Sequence, residues 1–457
     1  MPGKKVTKAF AACSVILLFL LFSAFTAEAA FWTVENGESI QDAIDSASTG
    51  DTIQVEPGTY VEYLEVNKGL TIVGTGEGVV LRTPGGEENL VRIPSSNVTL
   101  EGLTFEAIDE VIEHTAVYIY GSISNVQVRN CTFRDVEDGL RIDGDPMNVV
   151  VANNTFENVR DYGIYCDASD PVSLYFRVLS IGNRFNFEWG PDEPGTAHYA
   201  ESRLGNMAFF NTFEDYEGHT TVLYTPTVSD DYLFNAEDNY WGEGAEQSDI
   251  NTACSPQVDF EPWSLADAAG HTDYQPVPLG GSAVFDVGAS EGITISIEAI
   301  TTQPPSTYFP LALAAYGDES PRPTTVQDDN PDADSYTAYF HLKDVEPGLG
   351  IAVLPTLQMT LEIPKSAIGD EADLDDLVLY AYDNGAWVDI TDEEGINIEV
   401  DCDVVRIVVD NYGDPVPIAL TAGNGDSSSS SGCSSTGAAS LGLMLLVPLA
   451  LAFRRKP

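Results

Sequence analysis

The chain is poor in positive charge. Its 457 residues hold 20 Lys and Arg against 72 Asp and Glu, a formal net charge of −52. Such a surface repels nucleic acid and anionic membranes, so no nucleic-acid partner is expected. Histidine and methionine are scarce as well, five of each and scattered, which leaves no copper- or zinc-binding cluster. The six cysteines contain no C-x-x-C pair. Four of them lie between the chain ends, Cys131, Cys166, Cys254 and Cys402, and they read as small buried apolar residues rather than as disulfides.

Long apolar runs are confined to the two ends. The first follows a basic stretch (Lys4, Lys5, Lys8), runs from Val15 to Phe25 and precedes small residues at Ala27, Ala29 and Ala30. This is the layout of a secretory signal with an A-x-A cleavage site, so residues 1–30 are assigned to it, with Ala29 at the cut and a mature chain beginning at Ala30 or Phe31. A retained anchor is the alternative, but the run is shorter than the roughly 20 residues a spanning helix needs. Residues 423–457 combine a serine tract (Ser427 to Ser431), Gly432-Cys433, an apolar stretch from Ala438 to Phe453 and a basic end, Arg454-Arg455-Lys456. The positive end holds such a segment inside during translocation. The order of parts resembles the C-terminal sorting domains of bacterial surface proteins, most closely the Gly-Cys type of Synergistetes-like bacteria. That resemblance implies cutting of the tail, anchoring at Cys433, and dealings with the export and sorting machinery and the envelope membrane. A plain transmembrane anchor would give the same compartment.

Between the ends, a phrase recurs: Asn97-Val-Thr-Leu-Glu-Gly-Leu-Thr-Phe105, Asn125-Val-Gln-Val-Arg-Asn-Cys-Thr-Phe133, Asn148-Val-Val-Val-Ala-Asn-Asn-Thr-Phe156. Degenerate copies end at Phe185, Phe213 and Tyr240, giving aromatic spacings of 28, 23, 29, 28 and 27 residues. A repeat of this length with period-two alternation is one turn of a β-solenoid. A second strand follows in each turn, so Val91, Val117, Leu140 and Ile164 are expected to form one inward row and Ile93, Ile119, Ile142 and Cys166 the next. Asn154, Asn183 and Asn211 fall two residues before the aromatic and suit a structural ladder, because an amide both donates and accepts. Ile40, Ala43, Ile44 and Ala47 behind Ser39 give a short amphipathic helix that can cap the open end.

Ser39-Ile-Gln-Asp-Ala-Ile, Gly50-Asp-Thr-Ile-Gln-Val and Gly58-Thr-Tyr-Val-Glu62, with Asp238-Asn-Tyr-Trp-Gly242 and Val258-Asp-Phe-Glu-Pro-Trp263 at the far end, resemble the entry and closing turns of right-handed parallel β-helix proteins. The resemblance is to the pectin-lyase-like, NosD-like and carbohydrate-binding or sugar-hydrolase group, and covers about residues 31 to 265. It implies an all-β fold: a right-handed parallel β-helix over 31–270 with an N-terminal helical cap. A Pro-containing link at Gln275 to Gly280 is then expected to lead to a β-sandwich over 281–422, with strands at Ser282 to Val287, Ile293 to Ala299, Thr337 to Leu342, Met359 to Ile363, Leu377 to Tyr382, Trp387 to Ile390 and Val404 to Val409. Asp383-Asn384-Gly385-Ala386 reads as a hairpin turn.

Chemistry-bearing residues gather on the outer face of the second strand set. If Leu140 and Ile142 point inward, Arg141 and Asp143 point outward, as do Tyr165 and Asp167 one turn on and Tyr118 and Tyr120 one turn before. Asp143 and Asp167 would stand roughly 5 Å apart at the backbone. Two unpaired carboxylates so close raise one another's proton affinity, the basis of acid/base pairs for glycosidic cleavage. They also suit Ca²⁺, while Tyr118, Tyr120 and Tyr165 suit sugar contact and Arg141 a substrate carboxylate. A solvated acidic face is the third reading. No cofactor is required, and Ca²⁺ is the ion such residues would accept. Asp328, Asn330, Asp332 and Asp334 alternate oxygen donors in a loop but lack the glycine and terminal glutamate of an EF-hand. Signatures of the catalytic branches are missing: paired aspartates followed by Gly-His-Gly, Arg-x-Pro-x-x-Arg, and Gly-Tyr-Gln-Asp. The expectation is therefore an exported, non-catalytic surface protein for glycan or cell-surface contact. The alternative is a polysaccharide lyase or glycoside hydrolase using Asp143 and Asp167.

Overall fold

A computed structural model describes residues 29–424, apart from 87–88, 108–114, 168–177, 187–194, 201–205, 217–221, 226–233, 279, 288–292, 300–307, 317, 322–335, 346–356, 369–371, 384, 402 and 413–416. The first part is a right-handed parallel β-helix of three sheets. Sheet A has ten strands, from Phe31–Val34 to Val258–Asp259; sheets B and C have seven each, from Gly58–Val61 to Thr212–Glu214 and from Leu64–Glu65 to Leu223–Tyr224. A representative turn runs Ser124–Arg129, Thr132–Arg134, Asp138–Asp143, and the next runs Met147–Ala152, Thr155–Glu157, Tyr162–Asp167.

The repeated phrase is two strands rather than one. A corner residue with positive φ divides it in each turn: Gly102, Asn130, Asn153, Gly182, Phe210 and Asp238, with φ between 53° and 65°. Asparagine tolerates this left-handed geometry because its short polar side chain bonds locally, whereas Phe210 is held there against the preference of its bulk. The inward rows stand as the sequence indicates. Val91, Val117, Leu140 and Ile164 are in register, as are Ile93, Ile119, Ile142 and Cys166, and all eight are fully buried. Phe105, Phe133, Phe156, Phe185 and Phe213 stack with ring centroids 5.0, 4.8, 4.5 and 5.6 Å apart. The stack closes on Trp241, 4.4 Å from Phe213, and not on Tyr240, whose backbone bridges to Thr212. Gly139 and Gly163 make room for it: a Cβ there would lie 2.6 Å from Phe156 Cε1 and 2.7 Å from Phe185 Cε1.

The asparagine ladder forms and extends one turn beyond its expected members. Asn154, Asn183 and Asn211 each donate through Nδ2 to the next member's Oδ1, and Asn239 ends the row. Each member from Asn183 onward also accepts the backbone N–H of the residue above. Cys131 takes the preceding position and donates its N–H to Asn154 Oδ1 at 2.9 Å. Cys131, Cys166 and Cys254 are buried; Cys402 lies outside the described residues.

Helix α1 (Ile40–Ser46) covers the first turn with Ile40 and Ile44 buried, and Ser39 caps it by accepting from the Asp42 N–H. Glu62 completes the cap, accepting from Ser39 Oγ and the N–H groups of Ile40 and Gln41, where a carboxylate complements the helix's positive end.

The second part is an antiparallel sandwich. Sheet D orders Thr272–Pro278, Tyr308–Ala315, Tyr336–Asp344, Pro417–Asn424, Ala372–Asp383 and Ala386–Asp389; sheet E orders Ser282–Phe285, Thr294–Ala299, Leu357–Pro364, Val404–Tyr412 and Ile396–Val400. All seven expected strands are present, and Asp383 pairs with Ala386 across the expected hairpin. The expected link at Gln275 to Gly280 is mostly a strand: Pro276 and Pro278 sit in the edge strand Thr272–Pro278, where a missing N–H is tolerated.

Sheet D alternates between two cores. Leu311 and Leu313 face sheet E, while Ala312 and Ala314 face the β-helix. Sheet A does likewise, with Val149 and Val151 in the bore and Val150 and Ala152 against the sandwich. Leu179, Ile181, Met207, Phe209 and Phe210 of the β-helix meet Tyr316, Tyr339, Trp387 and Ala419 in this junction. At its rim, Lys343 Nζ reaches Glu237 at 2.7 Å and the buried Asp238 at 2.5 Å.

Candidate functional site

The sandwich covers the later strands of sheet A, from Met147–Ala152 to Asn206–Phe209, and sheet C presents a broad outward face of the solenoid. Its strands are parallel and in register, so outward side chains form columns about 4.8 Å apart. One column reads Glu65, Arg92, Tyr118, Arg141, Tyr165, Tyr199, Tyr224. The neighbouring column places Tyr120, Asp143 and Asp167 in line. The six expected residues Tyr118, Tyr120, Arg141, Asp143, Tyr165 and Asp167 thus share one face. Arg92, Tyr199 and Tyr224 were missed; Tyr199 and Tyr224 lie in turns whose strand phrases are too degenerate to align from sequence, and Arg92 precedes the first clear copy.

The side chains in this face are mutually engaged. Tyr118 Oη donates to Asp143 Oδ2 at 2.9 Å and Arg141 Nε donates to the same oxygen at 3.2 Å. Burial and then the bond to Asp143 push the Tyr118 hydroxyl above its ordinary pKa. Asp143 is therefore matched by a guanidinium and a phenol, which differs from the unpaired dyad that acid/base chemistry needs. The Arg141 guanidinium lies 4.8 Å from the Tyr165 ring centre, and Tyr165, Tyr199 and Tyr224 stack at 4.9 and 5.3 Å. Both faces of Tyr165 and of Tyr199 are thereby taken, so these rings offer a ligand their edges and hydroxyls. Arg92 is exposed and lies over the Tyr120 ring at 5.2 Å. No ion pair joins it to a carboxylate among the described residues, whereas Arg82, Arg129, Arg134, Arg184 and Arg406 all pair with one.

Asp138 is a further group the sequence did not mark. It begins the strand that carries Arg141, is buried, and accepts from Thr115 Oγ1 at 3.3 Å while its Oδ1 meets no partner. Burial, and then the charge of Asp161, push its carboxyl up to about 6.

Among the described residues, no group of three or more His, Cys, Asp and Glu converges to hold a metal ion. Asp328, Asn330, Asp332, Asp334 and Cys433 lie outside the described residues. Ala29 is exposed at the start of the described chain. No described helix is long and apolar enough to cross a membrane. A crevice lined by Phe156, Val159, Gly163, Phe185 and Thr196 has a volume of about 10 Å³, room for roughly one water and no more.

These features define a right-handed parallel β-helix protein with a docked β-sandwich and an arginine–tyrosine face. Residues 85–185 match the family described as the right-handed beta helix region. A cell surface glycoprotein of Methanothermus fervidus is 40% identical over 65 residues, which is 14% of this chain and 11% of that protein. The chain thus spans about a ninth of that relative's length. Among solved structures, a Bacillus subtilis pectate lyase is 11% identical with a TM-score of 0.33, covering 51% of this chain and 79% of that one. A pectin methylesterase of Aspergillus niger is 18% identical with a TM-score of 0.36, covering 50% and 91%. The tailspike gp49 of Acinetobacter baumannii phage Fri1, a capsular polysaccharide depolymerase, is 10% identical with a TM-score of 0.28, covering 86% and 83%.

Proposed function

We propose that this is an exported, envelope-anchored surface protein that binds a polysaccharide along sheet C without cleaving it. The observation that carries this reading is the column Arg92–Tyr118–Arg141–Tyr165–Tyr199–Tyr224. It is a straight row of ring edges and guanidinium groups on a molecule whose net charge is −52. A linear chain of hydroxyls and occasional carboxylates can lie along such a row, meeting one side chain per turn through hydrogen bonds and Arg–carboxylate pairs. The engagement of Asp143 by Arg141 and Tyr118 favours holding over turnover. Export and anchoring rest on the signal layout before Ala30 and the segment around Cys433, and the short likeness to a cell surface glycoprotein agrees with them.

The test is a glycan-array screen of the exported protein with and without Ca²⁺, followed by product assays on every glycan retained. Binding without product is expected. Tyr199→Ala and Arg141→Ala should each weaken binding about tenfold, the equivalent of one charged or aromatic contact. Asp143→Asn should leave binding within about threefold, since Asn keeps an acceptor for Tyr118. Release of reducing ends or unsaturated sugars, abolished by Asp143→Asn, would instead establish the lyase or hydrolase reading with Asp143 and Asp167 as its carboxylates.

A further inference from the structure

Asp51 is a buried carboxylate at the mouth of the solenoid. It follows Gly50 in the turn that leads into the strand Thr52–Val55, and three donors converge on it. Its Oδ2 accepts from the Ser48 N–H at 2.8 Å and from Trp32 Nε1 at 3.0 Å, while its Oδ1 accepts from the Ala30 nitrogen at 2.8 Å. These bonds, the Ser48 and Ala30 N–H groups first, hold the carboxyl below its usual range. No Lys or Arg pairs directly with it among the described residues; Lys68, which acts on it only through its field, gives its own hydrogen bonds to the carbonyls of Asp45 and Ala47. Neutral N–H donors thus hold its charge where no directly paired cation does.

The donor on Oδ1 is the nitrogen of the residue that follows Ala29 in the A-x-A sequence Ala27-Glu28-Ala29. Hydrolysis of the Ala29–Ala30 bond breaks that amide, adds water across it, and leaves a carboxylate on Ala29 and an ammonium on Ala30. The same nitrogen that donates one N–H as an amide then carries a full charge and three donors. We propose that Asp51 is a built receptor for the α-ammonium released at Ala30, so that signal removal itself supplies the ion pair that locks the first strand onto the solenoid. Ala30 is already tied in place, since its carbonyl accepts from the Thr52 N–H at 2.9 Å. The strand Phe31–Val34 pairs in full register with Thr52–Val55. The pair sits beside α1 and the opening turn, whose apolar bore would otherwise meet water.

The inference rests on the export reading, and the two fail separately. N-terminal sequencing of the protein isolated from its native envelope should begin at Ala30. Persistence of residues 1–29 would show a retained anchor in place of a cleaved signal and sink both the cleavage reading and the Asp51 receptor; a clean start at Phe31 or later would sink the receptor alone and leave export intact. Stability of the chain beginning at Ala30 is then followed from pH 6 to 10, against the same chain with Gly-Ser added before Ala30 and against an N-acetylated form. An α-amine has an unperturbed pKa of about 7.7–8.0. Pairing with Asp51 raises the folded value above the unfolded one, so the added stability is complete below about pH 7.7 and is lost as pH rises through the folded pKa. One unit of displacement is about a tenfold change in the unfolding constant, and about three- to tenfold is expected for this partly exposed terminus. The extended and acetylated forms should lack that step while keeping the fold. Superimposable profiles for all three would overturn the proposal, as would an unchanged step in Asp51→Asn, whose oxygen can still accept from the Ala30 nitrogen while the charge, and the second acceptor that serves Ser48 N–H and Trp32 Nε1, are lost.

Discussion

At the scale of single residues, two buried titratable groups set opposite dependences on pH. His198 continues the inward row of Val117, Leu140 and Ile164; it is fully buried, edge-on to Phe234 at 4.9 Å, and neither ring nitrogen meets a partner among the described residues. Burial pushes its pKa down to about 3. An unfolded chain takes up a proton near pH 6.5 that the native one refuses, so stability present above that pH is lost as pH falls, by about 1.4 kcal/mol per unit. Asp138, pushed up to about 6, works the other way, since the native carboxyl keeps its proton and stability declines as pH rises from about 4 to 6. Between pH 4 and 6 the two slopes oppose. Chemical denaturation across that window should therefore give His198→Leu a profile that falls with pH and Asp138→Asn one that rises. Replacing the unpartnered imidazole with Leu should also add about 1–3 kcal/mol at neutral pH. The alternation that placed Arg141, Asp143 and Tyr165 outward was legible because side-chain direction depends only on parity. Their partners were not, since which group Arg141 meets depends on rotamers and neighbouring turns.

At the scale of elements, the Phe stack and the Asn ladder hold successive turns together, and each suggests a substitution. Gly163→Val places a Cβ 2.7 Å from Phe185 Cε1 and 2.8 Å from the Ala197 carbonyl; overpacking of this kind costs about 1–3 kcal/mol, visible as a lower urea midpoint at constant slope. Asn183→Ala removes the acceptor for the Asn154 N–H and Nδ2 and the donor to the Val151 carbonyl. With those buried groups orphaned, a loss of about 2–4 kcal/mol is expected in the same assay. The strands were readable wherever the phrase recurs, because apolar alternation and turn length both constrain register. The corners were not: a left-handed residue inside an apparently continuous strand leaves the alternation almost undisturbed, which is why one strand was read where sheets A and B meet. Tyr240 was read for Trp241 on the same grounds, a single-residue shift between two adjacent aromatics.

At the scale of the whole molecule, the junction between sheet A and sheet D makes one body of the two parts. This was hidden in the sequence, because residues such as Val150, Leu179 and Ala312 look like ordinary strand residues until a second domain is laid on them. Lys343 tests the junction. Lys343→Met takes the ammonium from Asp238, 1% exposed, and leaves it with His341 Nδ1 at 3.8 Å; removing one partner of a buried ion pair costs about 3–5 kcal/mol. Calorimetry should then resolve two transitions where the parent shows one cooperative event. The last described strand, Pro417–Asn424, is not at a sheet margin. It runs between Tyr336–Asp344 and Ala372–Asp383, hydrogen-bonded on both flanks. A tether attached beyond Asn424 would therefore deliver tension into the middle of a sheet that is itself glued broadside to the solenoid. Peeling has no free margin at which to start, so drag on a captured polymer would be resisted by many bonds loaded side by side.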